Sequence, residues 1–271
     1  MSFIVVTVND VYTYMKSIAP EELAGKNDNV GFLVGTGCTP VNKLLVALDV
    51  TSGVITEALD TGAKLIVAHH PMFFSLSSVT DENVTGKKII SMLSGGVSAI
   101  CMHTNLDAAH GGVNDALAAA VGIADSGKEV QPLSDFASVS EGDNESYGKV
   151  GYLKSACSLP DYLKFLKTAL DVGGLRYYDA GRNVYKVALA GGSGAVDWPN
   201  AVKSGCDTFV TADIKYHLFL EAMEMGINLI DGDHFCTENV ISRILVEKLS
   251  AAFPDIDVAL SKTHKQVIRF Y

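Results

Sequence analysis

The chain has 271 residues, of which 48% are apolar and 19% charged, the mix of a packed globular protein rather than a disordered one. At about 150 residues per domain, that length suits one large domain or two small ones. A formal net charge of −10, from 21 basic and 31 acidic residues, argues against a nucleic-acid partner, since a hold on phosphate backbones needs clustered lysine and arginine.

The five cysteines, Cys38, Cys101, Cys157, Cys206 and Cys236, are odd in number and show no C-x-x-C spacing. They read as reduced thiols of a cytoplasmic protein, not as a disulfide framework. The start, "MSFIVVTVNDVYTYMKSIAP", lacks a basic n-region and a small-residue cleavage site, so no signal peptide is expected. No apolar run approaches the roughly 18 residues of a membrane span, so no membrane partner is expected.

In chain order, "NDVYTYMKSI" spaces Val11, Tyr14, Met15 and Ile18 along one helical face, and Pro20 stops it. "KLLVALDV" (43–50) reads as a strand covered on both faces. A helix over 52–62 ends at Gly62, and the next strand is 63–68. A helix near 86–94, a strand at 97–102 and a helix from about Asn114 follow. From Asp125 to Ser146 the texture turns polar and acidic, without a period, and reads as a connection. Alternation then resumes: strands at "GKVGYL", "VYKVALA", "DTFVTA" and "INLI", helices at "PDYLKFLKTAL", 213–225 and after Thr237, and a closing strand at "HKQVIRFY". Such alternation predicts parallel pairing with right-handed crossovers.

Residues 44–70, slid forward by 164 positions, fall on 208–234 with identities at Val46/Val210, Asp49/Asp213, Glu57/Glu221, Ala58/Ala222, Gly62/Gly226, Leu65/Leu229, Ile66/Ile230 and His70/His234. The matches respect strand, helix and strand in order, so an internal duplication is the better reading. We therefore expect two similar α/β/α lobes, residues 1–125 and 126–271, with mixed, mostly parallel sheets. Ligands of parallel sheets collect beyond the carboxyl ends of the strands. A site is thus expected in the cleft between the lobes.

"LIVAHHP" (65–71) closes an apolar strand with two imidazoles and a proline. A strand that stops at Ala68 frees His69 and His70 from alternation, so the two rings need not oppose each other. "CMHTNLD" adds His103 and Asp107 past the strand 97–102. "DGDHFCTE" adds His234 and Glu238, four apart and on one face if a helix begins there. Imidazole and carboxylate at strand ends suit first-row divalent metals. The ligand inventory is His69, His70, Asp107, His234 and Glu238, with His103 as a supporting neighbour. Two such ions can activate water and stabilise both attacking and leaving oxygens. Plainer roles stand beside these. Asp107 can cap a turn, Glu238 can be a helix-face charge, and "GGSG" (191–194) reads as a turn rather than a phosphate cradle.

Taken together, "DNVGFLVG" (28–35), "GAKLIVAHHPMFF" (62–74), "HTNLD…GGVNDALA" (103–118), "VALAGGSG" (187–194), "TADIKYH" (211–217) and "LIDGDHFCTE" (229–238) resemble the Nif-three-like proteins, widely known as GTP cyclohydrolase 1 type 2 homologues. The resemblance implies a dinuclear centre of zinc, iron or manganese. His69 and His234 would serve one ion and His70 the other, with Asp107 and Glu238 completing the site. It also implies a toroidal homohexamer and hydrolysis of a nucleotide, with opening of the guanine ring of GTP as the named reaction. The alternative is a non-catalytic interaction, metal-handling or regulatory protein. Asp233 departs from the family pattern, which usually has Gly directly before this histidine.

Overall fold

Thr7 opens α1 (Val8–Ile18): its hydroxyl accepts from the Asp10 N–H while the Asp10 carboxylate accepts from the Thr7 N–H, a reciprocal cap. The helix buries Val8, Val11 and Met15, as the apolar spacing predicts. The computed structural model describes residues 5–133 and 147–271. The latter part of the polar connection, 134–146, lies outside the described residues.

The chain divides into two units, Met1–His110 with Ser242–Lys265, and Gly111–Ile241 with Gln266–Tyr271. After α1 the first contains β1 (Gly31–Val34), β2 (Lys43–Ala47), α2 (Ser52–Thr61), β3 (Leu65–Ala68), α3 (Val84–Gly95), β4 (Ser98–Cys101) and α4 (Thr104–Ala108). Its sheet runs β1-β4-β3-β2 and then a last strand, Asp257–Leu260, supplied by the C-terminal stretch. All neighbours are parallel except β1 against β4. Residues of alternating register face α2 and α3: Leu45, Ala47, Ile66, Ala68 and Ala99 pack with Val54, Ile55, Ala58 and Met92. The intervening Leu44, Val46, Leu65, Val67 and Ile100 are equally buried. Burial on both faces explains why these strands read as unbroken apolar runs.

The second unit holds α5 (Val113–Ala120), β5 (Gln131–Pro132), β6 (Lys149–Cys157), α6 (Leu159–Ala169), β7 (Arg176–Tyr178), β8 (Val184–Leu189), α7 (Trp198–Lys203), β9 (Thr208–Thr211), α8 (Tyr216–Met225), β10 (Asn228–Asp231) and α9 (His234–Glu238). Its sheet runs β5-β6-β8-β9-β10-β7. The pairs β8–β9 and β9–β10 are parallel; the others are antiparallel. Period-two alternation separates its two cores. Val187, Leu189, Val210 and Ile230 pack with Leu117, Tyr162 and Leu166, while Ala188, Phe209 and Leu229 pack with Ala201 and Ala222 on the other face. From α9 the chain continues into α10 (Val240–Ala252) and β11 (Asp257–Leu260).

Both units are therefore α/β with mixed sheets. α2 and α8 are displaced by the same 164 positions at both ends, and each stops on a left-handed glycine, Gly62 at φ 74° and Gly226 at φ 65°. The strand pairing differs by one residue: Leu44 faces Leu65, whereas Thr208 faces Asn228 rather than Leu229.

One expectation needs correction, and two strands were not anticipated. The tail "HKQVIRFY" forms no strand; β11 precedes it, and the tail is held by side chains instead. β1 and β7 did not announce themselves, because three or four residues at an antiparallel edge carry too short a period. Among the described residues no helix is long and apolar enough to cross a membrane.

Candidate metal centre

The Leu48 carbonyl accepts from two successive amides past the end of β3, His69 N–H at 3.2 Å and His70 N–H at 2.9 Å. β3 has ended at Ala68, so the alternation of a strand no longer puts the two side chains on opposite faces. The two imidazoles accordingly lie side by side, centroids 4.9 Å apart. His103, just past β4, joins them at 5.2 and 5.6 Å. One ring nitrogen from each of the three lies within 4.8 Å of the others, a cluster that can hold a metal ion.

Each of these rings is anchored through Nδ1. The buried His69 places Nδ1 2.8 Å from the Met102 carbonyl, which can only accept, so Nδ1 carries the proton and Nε2 presents its lone pair. His70 Nδ1 lies 2.8 Å from Asp49 Oδ1. His264 Nε2 stands 3.0 Å from the other oxygen of Asp49. His103 Nδ1 lies 2.9 Å from both oxygens of Asp28, which also accepts from the Thr104 N–H and hydroxyl. Burial alone would raise both carboxyls. The hydrogen bonds from Thr104 and the histidines outweigh it and hold Asp28 and Asp49 well below the usual carboxylate range. A carboxylate behind a histidine fixes the ring and raises the basicity of Nε2, as metal-ligating histidines require. Asp107, in α4, puts Oδ1 3.7 Å from His69 Nε2. That is too long for a hydrogen bond and near the spacing of two donors on one ion with bonds of about 2.1 Å.

In the second unit His234 opens α9 and Glu238 closes it, one turn apart, with Nε2 and Oε2 3.0 Å from each other. The spacing of four works as the sequence suggests. His234 Nδ1 lies 2.7 Å from Asp213 Oδ2, which also accepts from the Ser193 hydroxyl at 2.5 Å. Burial would lower the His234 imidazolium, but Glu238 and Asp213 on its two sides raise it to about 9. A metal at Nε2 requires that proton to leave. Gly192, at φ 59°, closes on this pair: a Cβ there would fall 1.9 Å from Glu238 Oε1 and 3.2 Å from His234 Nε2. The amides of the "GGSG" loop point inward, Gly191 N–H to Asn114 Oδ1 and Gly192 N–H to Thr237 Oγ1. The loop is a backbone wall rather than a phosphate cradle. Cys236, inside α9, is buried, and burial pushes its thiol up to about 12, so it is a neutral packing group.

The donor sets fit a divalent metal: anchored imidazoles offer Nε2, and carboxylates stand beside them. The first unit brings together His69, His70 and His103, with Asp107 adjacent; the second brings together His234 and Glu238. Sequence reasoning missed the anchors Asp28, Asp49 and Asp213. A signal existed for two of them. Asp49 precedes His70 by 21 residues, and Asp213 precedes His234 by 21.

Residues 6–267 match a family model described as Duf34/NIF3 (NGG1p interacting factor 3). A Clostridium perfringens protein called GTP cyclohydrolase 1 type 2 homolog is 34% identical over 267 residues, covering 97% of this chain and 99% of its own. A Clostridium acetobutylicum protein of the same name is 32% identical over 252 residues, with 90% of each covered. Among solved structures, a Staphylococcus aureus hypothetical protein has a TM-score of 0.85 at 27% identity, covering 99% of this chain and 100% of its own. A Bacillus cereus protein related to NIF3 shares the fold with a TM-score of 0.88 at 24% identity, covering 98% and 99%.

Proposed function

The chain belongs to the Duf34/NIF3 family, and from that premise we propose that it is a metal-dependent hydrolase acting on a nucleotide. Its candidate ligands are His69, His70 and Asp107 in the first unit and His234 and Glu238 in the second, for two divalent ions of the zinc, iron or manganese kind. The observation that carries the reading is the common anchoring of four imidazoles through Nδ1, three on carboxylates and one on a carbonyl. The relatives' name, GTP cyclohydrolase 1 type 2 homolog, suggests GTP as the first substrate to try.

When bound, such ions supply Lewis acidity and lower the proton affinity of water. The residues supply the rest. Asp49, Asp28 and Asp213 keep their rings oriented and their charges in place. His103, backed by Asp28, stands among the ligand rings with Nε2 directed away from its anchor, where it can take or return a proton. Gly192 brings bare backbone against Glu238, where any side chain would displace the carboxylate.

The test combines metal content with turnover. Elemental analysis of the unsupplemented protein should give about one to two first-row metals per chain, and Asp107→Ala should lower that content. Metal-loaded protein is then offered a nucleotide panel. Turnover that disappears in the His70→Ala, Glu238→Ala double variant supports the hydrolase. Metal-replete protein that turns nothing over, while a partner protein co-purifies with it, favours the interaction role that the family description names.

A further inference from the structure

Asp233 has φ 72° and ψ 134°. That conformation is populated almost entirely by glycine and is strained for an L-residue. Something must hold it. Its carbonyl accepts from the Thr237 N–H at 3.0 Å and the Thr237 hydroxyl at 2.9 Å. Its Oδ1 accepts from the Cys236 N–H at 3.1 Å, capping α9. Its N–H donates to Asp231 Oδ1 at 3.1 Å. α9 is five residues long, too short to hold its own shape. The cap therefore sets whether His234 and Glu238 remain one turn apart on one face.

Beside the Cys236 thiol, the Asp233 carboxylate meets the side-chain amide of Gln266. The orientation of that amide is determined: Gln266 Oε1 accepts from the Ile268 N–H at 2.7 Å, which leaves Nε2, the donor, for Asp233. The tail around it is seated on glycine. A Cβ at Gly173 or Gly174 would fall 2.6 or 2.8 Å from the Phe270 ring, so the ring lies against bare backbone. Ile268 and Phe270 also line a cleft of about 290 Å³ with Arg176, Asp213 and His234.

We propose that residues 266–270 form a positioning strap for the metal ligands of the second unit. Gln266 orients the Asp233 carboxylate, and Asp233 in turn holds the His234–Glu238 turn. The proposal rests on the metal-binding reading above. Gln266 acts at the start of α9, on the Asp233 cap and on the Cys236 thiol beside it.

A double-variant cycle on the full chain tests it, using cobalt(II) and a competing chelator. Gln266→Ala should weaken binding about tenfold, the lower end of the effect of supporting groups on metal affinity, and alter the visible spectrum of the cobalt-loaded protein. Asp233→Gly should bind within about threefold of the parent, because glycine adopts φ 72° freely and is a tolerable cap. In that background Gln266→Ala should change nothing further. Equal weakening in both backgrounds, or no weakening in the parent, overturns the strap. Amide hydrogen exchange over 234–239 supplies a readout that needs no metal. Gln266→Ala should speed exchange at the Cys236 amide in the parent and not in the Asp233→Gly background, while the Asp161 amide, capped by Ser158 at the start of α6, exchanges as in the parent. If the parent binds no cobalt, the metal reading fails while exchange still decides the strap.

Discussion

The ends of β3 and β10 carry the same pair of side chains in different surroundings. Asp49 holds His70 at 2.8 Å in the first unit, and Asp213 holds His234 at 2.7 Å in the second. Past β3 the turning chain adds a second imidazole, His69, and the next strand end adds His103. Past β10 a one-turn helix adds a carboxylate, Glu238, walled by Gly192. The strand–helix–strand framework thus sets the aspartate–histidine pair, and the loops that follow set the ligand chemistry, nitrogen-rich on one side and carboxylate-bearing on the other. That division of labour is the usual one between scaffold and loop.

The largest effect is expected at Gly192, which has no counterpart beside His70. Gly192→Ala forces a Cβ onto Glu238 and an L-residue into the left-handed region, worth about 1–2 kcal/mol from the backbone alone. Metal affinity should drop by more than about 100-fold, beyond the range for supporting groups, and urea unfolding should show the loss of stability. Near-normal affinity would mean that Glu238 is no ligand. Next come Asp49→Asn and Asp213→Asn. Each removes the charge behind one histidine, and each should lower metal affinity about 10–100-fold in a chelator competition. Equal losses sharpen the equivalence of the two pairs; a loss at only one position breaks it.

Smaller effects distinguish the two helices. Thr51 caps α2 by accepting from the Val54 N–H, whereas Lys215 at the start of α8 offers no side-chain cap. Thr51→Ala should cost about 1 kcal/mol in urea unfolding, and Lys215→Ser should gain about half of that. A destabilising Lys215→Ser would show that α8 depends on something α2 lacks. The smallest effect concerns Glu57, whose carboxylate accepts from the Lys262 N–H and from the Ser261 and Thr263 hydroxyls. Its equivalent, Glu221, is exposed. Burial would raise Glu57, but these bonds outweigh it and hold it below its ordinary value. A carboxyl lowered in the folded state adds stability above its unfolded pKa, and that stability is lost as pH falls through the folded value. Glu57→Gln should therefore cost about 1 kcal/mol at neutral pH, after allowance for solvent screening. The difference from the parent should hold down to the ordinary carboxylate range and vanish in acid below it, and a difference that persists unchanged below that range would refute the linkage.

Much of this was legible in the chain of letters. Apolar runs marked β2 and β3, because both of their faces are covered. The 164-residue shift aligned α2 with α8 to the residue, because Gly62 and Gly226 end their helices for the same backbone reason. His234 and Glu238 could be placed one turn apart from their spacing. Other features had no local sign. Edge strands β1 and β7 are too short for a period. The tail alternates like a strand yet pairs with none, since its residues are held by Gly173, Gly174 and Asp233 rather than by a neighbouring ladder.

Periodicity and spacing are properties of neighbours along the polypeptide, and they sufficed for most of the elements and for the strand-end histidines. The anchors of those histidines lie elsewhere in the chain. Asp28 reaches His103 across 75 residues, and the Met102 carbonyl reaches His69 across 33. Which nitrogen each ring presents, why His69 and His70 share a side, and why an aspartate tolerates a glycine's backbone at 233 all depend on such remote contacts, which arise only when the sheets are assembled.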